Sequence, residues 1–143
     1  MDQARIFEIA RQELTLVQQQ VDKYDEIGYR IKAWAVTLWV TLFGWSLQFD
    51  NARLLLLDFL AVLIFFFLDA VNKNFRQDYK ERRNRIAAAL QQFGRSDSWP
   101  EDFRTPEVLQ HRTAGIIKQA AELHVLLLYV PLAVLALITY LLL

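Results

Sequence analysis

Leu54-Leu55-Leu56-Leu57-Asp58-Phe59-Leu60-Ala61-Val62-Leu63-Ile64-Phe65-Phe66-Phe67-Leu68 is an apolar run broken by a single acid. No polar stripe returns at helical spacing, so a helix made from it is apolar on nearly every face. Outward from this run the pattern repeats. Apolar residues make up 55% of the 143-residue chain, against roughly 45–50% in a soluble domain. They collect in three blocks, Ala33–Phe49, Leu54–Leu68 and Val125–Leu143, and the charges collect between and before them. A soluble core mixes the two classes at helical spacing, so the segregation predicts an integral membrane protein. The length fits one domain.

A membrane helix needs roughly 20 apolar residues to cross about 30 Å of hydrocarbon. Val125–Leu143 is uncharged throughout, and Pro131 within it is tolerated in a membrane helix with a kink. A buried core helix is the alternative reading of that block. Ala33–Phe49 is also uncharged. Trp34 and Trp45 lie near its two ends, where amphipathic rings settle at a membrane interface, and Trp39 lies between them. In the middle block, a helix starting at Arg53 places Asp58 about 7 Å deep at 1.5 Å per residue. Asp69 then stands at the opposite edge, so neither acid needs the costly bilayer centre. Gln48-Phe49-Asp50-Asn51-Ala52-Arg53 reads as a tight turn that makes the first two spans a hairpin. Asp50 or Asn51 is available to cap the second helix.

Basic residues set the expected orientation. The hairpin turn holds only Arg53, whereas Arg30, Lys32, Lys118 and the run from Lys73 to Arg85 flank the other ends. Lys and Arg concentrate on the cytoplasmic side. The N-terminus is therefore expected inside, with the hairpin turn and the C-terminus outside. The first about thirty residues carry no signal-peptide apolar region, which leaves insertion to the internal segments.

The polar intervals carry helical seams. Phe7, Ala10, Leu14, Val17, Val21, Tyr24, Gly28 and Ile31 alternate spacings of three and four, a heptad pattern. With no proline before the first block, one helix is expected from about Gln3 to Phe49. Phe75, Tyr79, Arg82, Ile86, Leu90 and Phe93 form a second stripe, with Gly94 placed to end it. Arg82 on this stripe is placed to pair with Glu13 or Asp22 and fix register. A loop follows, and Thr105-Pro106-Glu107 reads as a helix start: a hydroxyl cap, a first-turn proline and an acid at the positive dipole end. Leu109, Thr113, Ile116, Ala120 and Leu123 continue a stripe into the third block.

The expected architecture is all-α: three long helices, a hairpin plus a C-terminal span, extending into a cytoplasmic helical bundle. The spans are expected at about 33–49, 54–71 and 125–143, and the cytoplasmic helices at about 3–32, 72–93 and 106–124. An apolar stripe must be buried, and three membrane helices enclose little interior, so a homo-oligomer is expected.

Two faces stand out as candidate pore or helix-packing surfaces. Thr37, Thr41, Gly44 and Gln48 share one face of the first span; such residues let helices pack closely or line a wet path. Asp58, Asp69 and Asn72 share a face of the second. Acids at membrane depth face protein or water and mark ion pathways; capping, or pairing with Arg53 and Lys73, is the alternative. Lys73, Arg76, Lys80, Arg82, Arg83 and Arg85 form a candidate site for an anionic ligand or lipid headgroups, although the same residues satisfy the orientation rule by themselves.

Several classes of function are excluded or disfavoured. There is no cysteine and the formal net charge is zero. Thiolate chemistry is therefore excluded, and no general electrostatic attraction to a nucleic acid duplex is expected. Four glycines and no phosphate-loop pattern argue against a nucleotide cradle. His111 and His124 lie 13 residues apart without acids at ligand spacing, and read as a surface and an interfacial residue. No catalytic, cofactor or metal site is expected, and the chain does not read as an enzyme.

Lys23-Tyr24-Asp25-Glu26-Ile27-Gly28-Tyr29-Arg30-Ile31-Lys32-Ala33-Trp34, followed by the hairpin and then Phe67-Leu68-Asp69-Ala70-Val71-Asn72-Lys73-Asn74-Phe75-Arg76, resembles small bacterial membrane proteins. It is similar over roughly residues 15–90 to SLATT-like two-span effector domains, in which a helix enters a membrane hairpin and a basic helix leaves it. The third span departs from that pattern. The resemblance implies a location in the bacterial inner membrane. It also implies an oligomeric effector in bacterial defence, channel-like or membrane-perturbing, gated by a cytoplasmic signalling partner or ligand. The seams themselves allow a different role, a non-conducting scaffold or regulatory subunit that holds a cytoplasmic partner. A phage-type lysis protein is a third reading.

Overall fold

The computed structural model describes residues 3–107, 109 and 115–142, with residues 123–124 described through their backbone alone. Among the described residues the chain is all-helical, without strands. α1 (Gln3–Gln48) and α2 (Ala52–Ser96) are long, α3 (Gly115–Ala120) is short, and α4 (Leu123–Leu142) is intermediate.

Local chemistry explains where the long helices stop. α1 ends in a six-to-one turn: the Asn51 N–H bonds the Ser46 carbonyl at 3.1 Å while Asp50 takes a left-handed φ of 48°. That arrangement satisfies carbonyls that a helix end otherwise orphans. Asn51 then caps α2, its Oδ1 accepting from the Arg53 N–H at 3.1 Å. α2 runs past Gly94 to Ser96, a correction to the expected end at residue 93. Asp97 supplies the left-handed residue, at φ 51°, and its N–H bonds the Phe93 carbonyl at 2.9 Å. Gly94 stays helical because a later residue does its work.

The third long helix is also corrected. Residues 105–107 are not helical, and the sequence motif for a helix start is overridden by long-range bonds. Thr105 Oγ1 donates to Glu13 at 2.5 Å and Glu107 accepts from Arg82 at 2.6 Å. Further on, Ala121 and Glu122 separate α3 from α4. The Glu122 side chain is drawn to Lys73 at 2.7 Å, and its carbonyl receives the first N–H bonds of α4. The expected stripe position Thr113, and His111, lie outside the described residues, as does the side chain of His124.

Among the described residues two helices are long and apolar enough to cross a membrane: α2, and Val125–Leu142 of α4. Only 28% and 17% of their apolar stretches are buried within the chain, far less than a soluble core helix would show. The apolar half of α1 does not reach the same standard, because three tryptophans, two threonines, Ser46 and Gln48 dilute it.

The chain divides into two compact units. Unit 1 comprises Met1–Asp25 and Phe75–Arg112. Its core is Ala10, Val17 and Ile86, with Leu14, Tyr79, Leu90, Trp99 and Phe103 packed on it. The seam residues therefore meet: α1 offers Ala10, Leu14 and Val17 at heptad spacing, and α2 offers Tyr79, Ile86 and Leu90. Phe93, Trp99 and Phe103 stack in sequence, with centroids 4.6 and 5.2 Å apart, so residues 97–107 lie on the same core.

Unit 2 comprises Glu26–Asn74 and Thr113–Leu143. Ala35, Val62, Val125 and Tyr129 form its apolar centre, drawn from α1, α2 and α4. Trp39 ties α1 to α4 by donating its indole N–H to the Leu132 carbonyl at 3.1 Å.

Candidate functional site

Beside its apolar centre, unit 2 buries several polar side chains and leaves many large apolar ones exposed. Ser46, Asp58, Asp69, Asn72, Lys73, Asn74 and Gln119 are all buried there, while Leu56, Leu57, Leu60, Leu63, Ile64 and Phe67 on α2 are exposed. Soluble domains bury their large apolar residues and keep charges out. The inverse arrangement suits a hydrocarbon surrounding, where polar groups turn toward the protein.

Most of the buried polar groups gather where the apolar run of α2 ends. Asn72, Lys73 and Asn74 are consecutive and all buried. Three consecutive residues sweep about 200° of a helix, so α2 is enclosed from more than one side at this level. α1 closes one side: a Cβ on Gly28 would lie 2.9 Å from Asn72 Nδ2. α3 closes another, since a Cβ on Gly115 would collide with the Asn74 amide. Lys73 pairs with Glu122, and Lys32 lies 3.6 Å from Asp69, which is 1% exposed. Each buried charge, Asp69 and Lys73, thus faces an opposite charge on a half-exposed partner, Lys32 and Glu122, and pairing of this kind is what makes a buried charge tolerable.

Asp58 differs. It is fully buried, and neither carboxylate oxygen has a hydrogen-bond partner. The expected pairing with Arg53 or Lys73 is absent, because Arg53 is exposed and Lys73 is held by Glu122. A buried carboxylate without a hydrogen-bond partner is costly.

The two candidate faces are separate. Asp58, Asp69 and Asn72 point into unit 2, whereas Thr37, Thr41, Gly44 and Gln48 are exposed. Thr37 and Thr41 satisfy their hydroxyls on their own helix, donating to the Ala33 and Thr37 carbonyls at 2.9 and 2.8 Å. Their methyls, the Gln48 side chain and the open space at Gly44 remain outward.

The basic run is divided as well. Lys73 is buried in unit 2, and the other five residues belong to unit 1. Arg76 makes a two-point pair with Asp25 at 2.5 and 3.0 Å. Arg83 bonds Gln18 and Asn84. Arg82 is 2% exposed and contacts Glu13 twice, Glu107 once and the Arg104 carbonyl once. Phe103 covers its guanidinium, 5.8 Å from ring centroid to Cζ. Among the described residues Lys80 and Arg85 form no ion pair. Elsewhere in unit 1, Tyr24 stacks on Tyr79 at 5.5 Å. Burial first, and Tyr79 second, push its phenol pKa above the usual value of 10.0.

Ser46, Asn74 and Gln119 are also buried in unit 2, and Lys32 and Glu122 pair with its buried charges from half-exposed positions, yet none of the five is among the candidate site residues read from the sequence. The adjacent polar triplet Asn72-Lys73-Asn74 at the end of an apolar run was the usable signal. Among the described residues no group of three His, Asp or Glu side chains is placed to hold a metal. No protein-family model, curated protein or solved structure matches the chain.

Proposed function

We propose that the chain is a multi-pass protein of the bacterial inner membrane, with unit 2 in lipid, the N-terminus cytoplasmic and the C-terminus outside. It assembles as a homo-oligomer and acts as a channel-like or membrane-perturbing effector, responding to a cytoplasmic signal in defence. The single observation that carries this reading is Asp58, an unpartnered acid buried in a unit that exposes many large apolar side chains. A purely structural membrane bundle gains nothing from such a group. An ion or proton path uses one, because a carboxyl at depth lowers the barrier to a cation. The resemblance over residues 15–90 supports the defence role.

The test is membrane potential in cells producing the protein, read with a potential-sensitive dye. Depolarisation by the parent chain and its suppression by Asp58→Leu, at equal membrane levels, support the reading. A normal potential at high levels of inserted protein sinks it.

One observation favours a second reading, a non-conducting scaffold or regulatory subunit. The hydroxyls of Thr37 and Thr41 are consumed by their own helix, which leaves that face better suited to helix packing than to lining water. Capture of a stoichiometric cytoplasmic partner, lost on Leu14→Asp while the potential stays normal, would select it.

A further inference from the structure

Unit 1 contains a cavity of about 480 Å³ between the C-terminal part of α2 and residues 100–107, within the range of small-molecule sites. Its chemistry is unusual for a space that serves only packing. Arg82, Arg85 and Arg104 all line it, and neither Arg85 nor Arg104 has an ion-pair partner among the described residues. Phe103 and Ala89 form the apolar part of its wall.

The two carboxylates on Arg82 are not equivalent. Glu13 holds Nε and Nη2 in a bidentate pair, its side chain is 11% exposed, and it is not part of the cavity wall. Glu107 holds Nη1 at 2.6 Å, is 40% exposed, and does line the cavity. The guanidinium edge that faces the cavity is therefore covered by a carboxylate of the chain's own, which can swing into water. Guanidinium forks bind oxyanions strongly and with defined geometry.

We propose that this cavity binds a small oxyanion, a carboxylate or phosphate monoester carrying a flat apolar group. The oxyanion replaces Glu107 on Arg82 and is clasped by Arg85 and Arg104, while the flat group lies against Phe103 and Ala89. Glu101 and Asp102 on the wall repel extended polyanions and so restrict the site to a compact ligand with its charge at one end. The site stands apart from the proposed conduction role, and its occupancy is measured without any flux.

The experiment uses the full chain purified in neutral detergent, titrated with phenyl phosphate, benzoate and inorganic phosphate. Thermal unfolding followed by tryptophan fluorescence is the readout, since a ligand that binds only the folded state raises the midpoint in a saturable way. Phenyl phosphate or benzoate should raise it more than inorganic phosphate, and the better of the two identifies the oxyanion. Glu107→Gln removes the competing carboxylate and should tighten binding roughly tenfold. Arg85→Ala with Arg104→Ala should weaken it at least tenfold while helical content stays unchanged, because both side chains are exposed. The proposal fails if neither aromatic anion gives a saturable shift in the parent chain or in Glu107→Gln. It also fails if Glu107→Gln weakens binding, or if the double arginine variant binds as the parent does.

Discussion

Arg82 on α2 and Glu13 on α1 form a bidentate pair, Nε to Oε1 at 2.8 Å and Nη2 to Oε2 at 3.0 Å. The guanidinium sits on the apolar stripe between Tyr79 and Ile86, where a heptad position would ordinarily be aliphatic. Such a pair adds little net stability over well-packed apolar residues. It does fix register, because a shift along either helix strands a buried charge. Through Glu107 and the Arg104 carbonyl the same guanidinium also holds residues 104–107 on unit 1.

Removing one partner of this pair should be costly. Glu13→Ala is expected to destabilise the chain by about 1–3 kcal/mol, since it strips Nε of the buried Arg82 and leaves that guanidinium only Glu107 and the Arg104 carbonyl. Glu107→Ala, at a partly exposed end, should cost about 1 kcal/mol or less. Thermal unfolding in detergent separates the two. Equal effects would mean that Glu13 is not the anchor.

Asp58 should behave in the opposite way. Asp58→Leu removes an unpartnered buried carboxyl and is expected to stabilise unit 2 by about 1–3 kcal/mol. The same change should abolish depolarisation. A destabilised but active variant would contradict both the burial argument and the proposed role.

The two span-side glycines should respond differently. Gly28→Val pushes branches into the Asn72 amide and should cost about 1–3 kcal/mol, as overpacking does. A Cβ on Gly44 would meet nothing within 4 Å, so Gly44→Ala should gain up to about 1 kcal/mol of helix stability. If the exposed strip of Thr37, Thr41 and Gly44 joins copies, that substitution also lowers the oligomer fraction in cross-linking. An unchanged oligomer would remove the strip from the interface.

Tyr24 gives a pH dependence. Its folded pKa lies above the unfolded value, so the folded state holds the phenolic proton more tightly. The stabilisation is complete below the unfolded pKa of about 10 and declines as pH rises through the higher folded value. Tyr24→Phe should flatten that alkaline decline. Ultraviolet titration of phenolate absorbance in parent and variant checks it, and a Tyr24 that ionises with the exposed tyrosines would contradict it.

Much of the helical content was legible because it rests on short-range rules. Periodicity placed Ala10, Val17 and Ile86 on buried stripes, and turn chemistry placed the break at residues 49–51. A cap at Asp50 or Asn51 was recognisable because capping reaches only two or three residues along the chain, and the structure gives the role to Asn51. That Arg82 needs an acid from the first seam was legible for a similar reason, a lone cation on an apolar stripe; the choice of Glu13 over Asp22 came from the structure.

What failed depended on contacts distant in sequence. Thr105-Pro106-Glu107 has every local feature of a helix start, yet Glu13 and Arg82 recruit its side chains and no helix forms there. Gly94 looked like a terminator, yet Asp97 did that work three residues later. The faces of the two candidate stripes were set by which neighbour each helix met. Thr37 and Thr41 could turn outward because their own helix satisfies them, whereas Asp58 was turned inward with α2. The sequence by itself determined that the chain is helical, where its longest helices turn, and which segments are most apolar, because those follow from backbone geometry and composition. Only the tertiary structure decided which polar groups lie inside unit 2 and which carboxylate guards the cavity in unit 1, because both depend on distances between residues that the chain order leaves far apart.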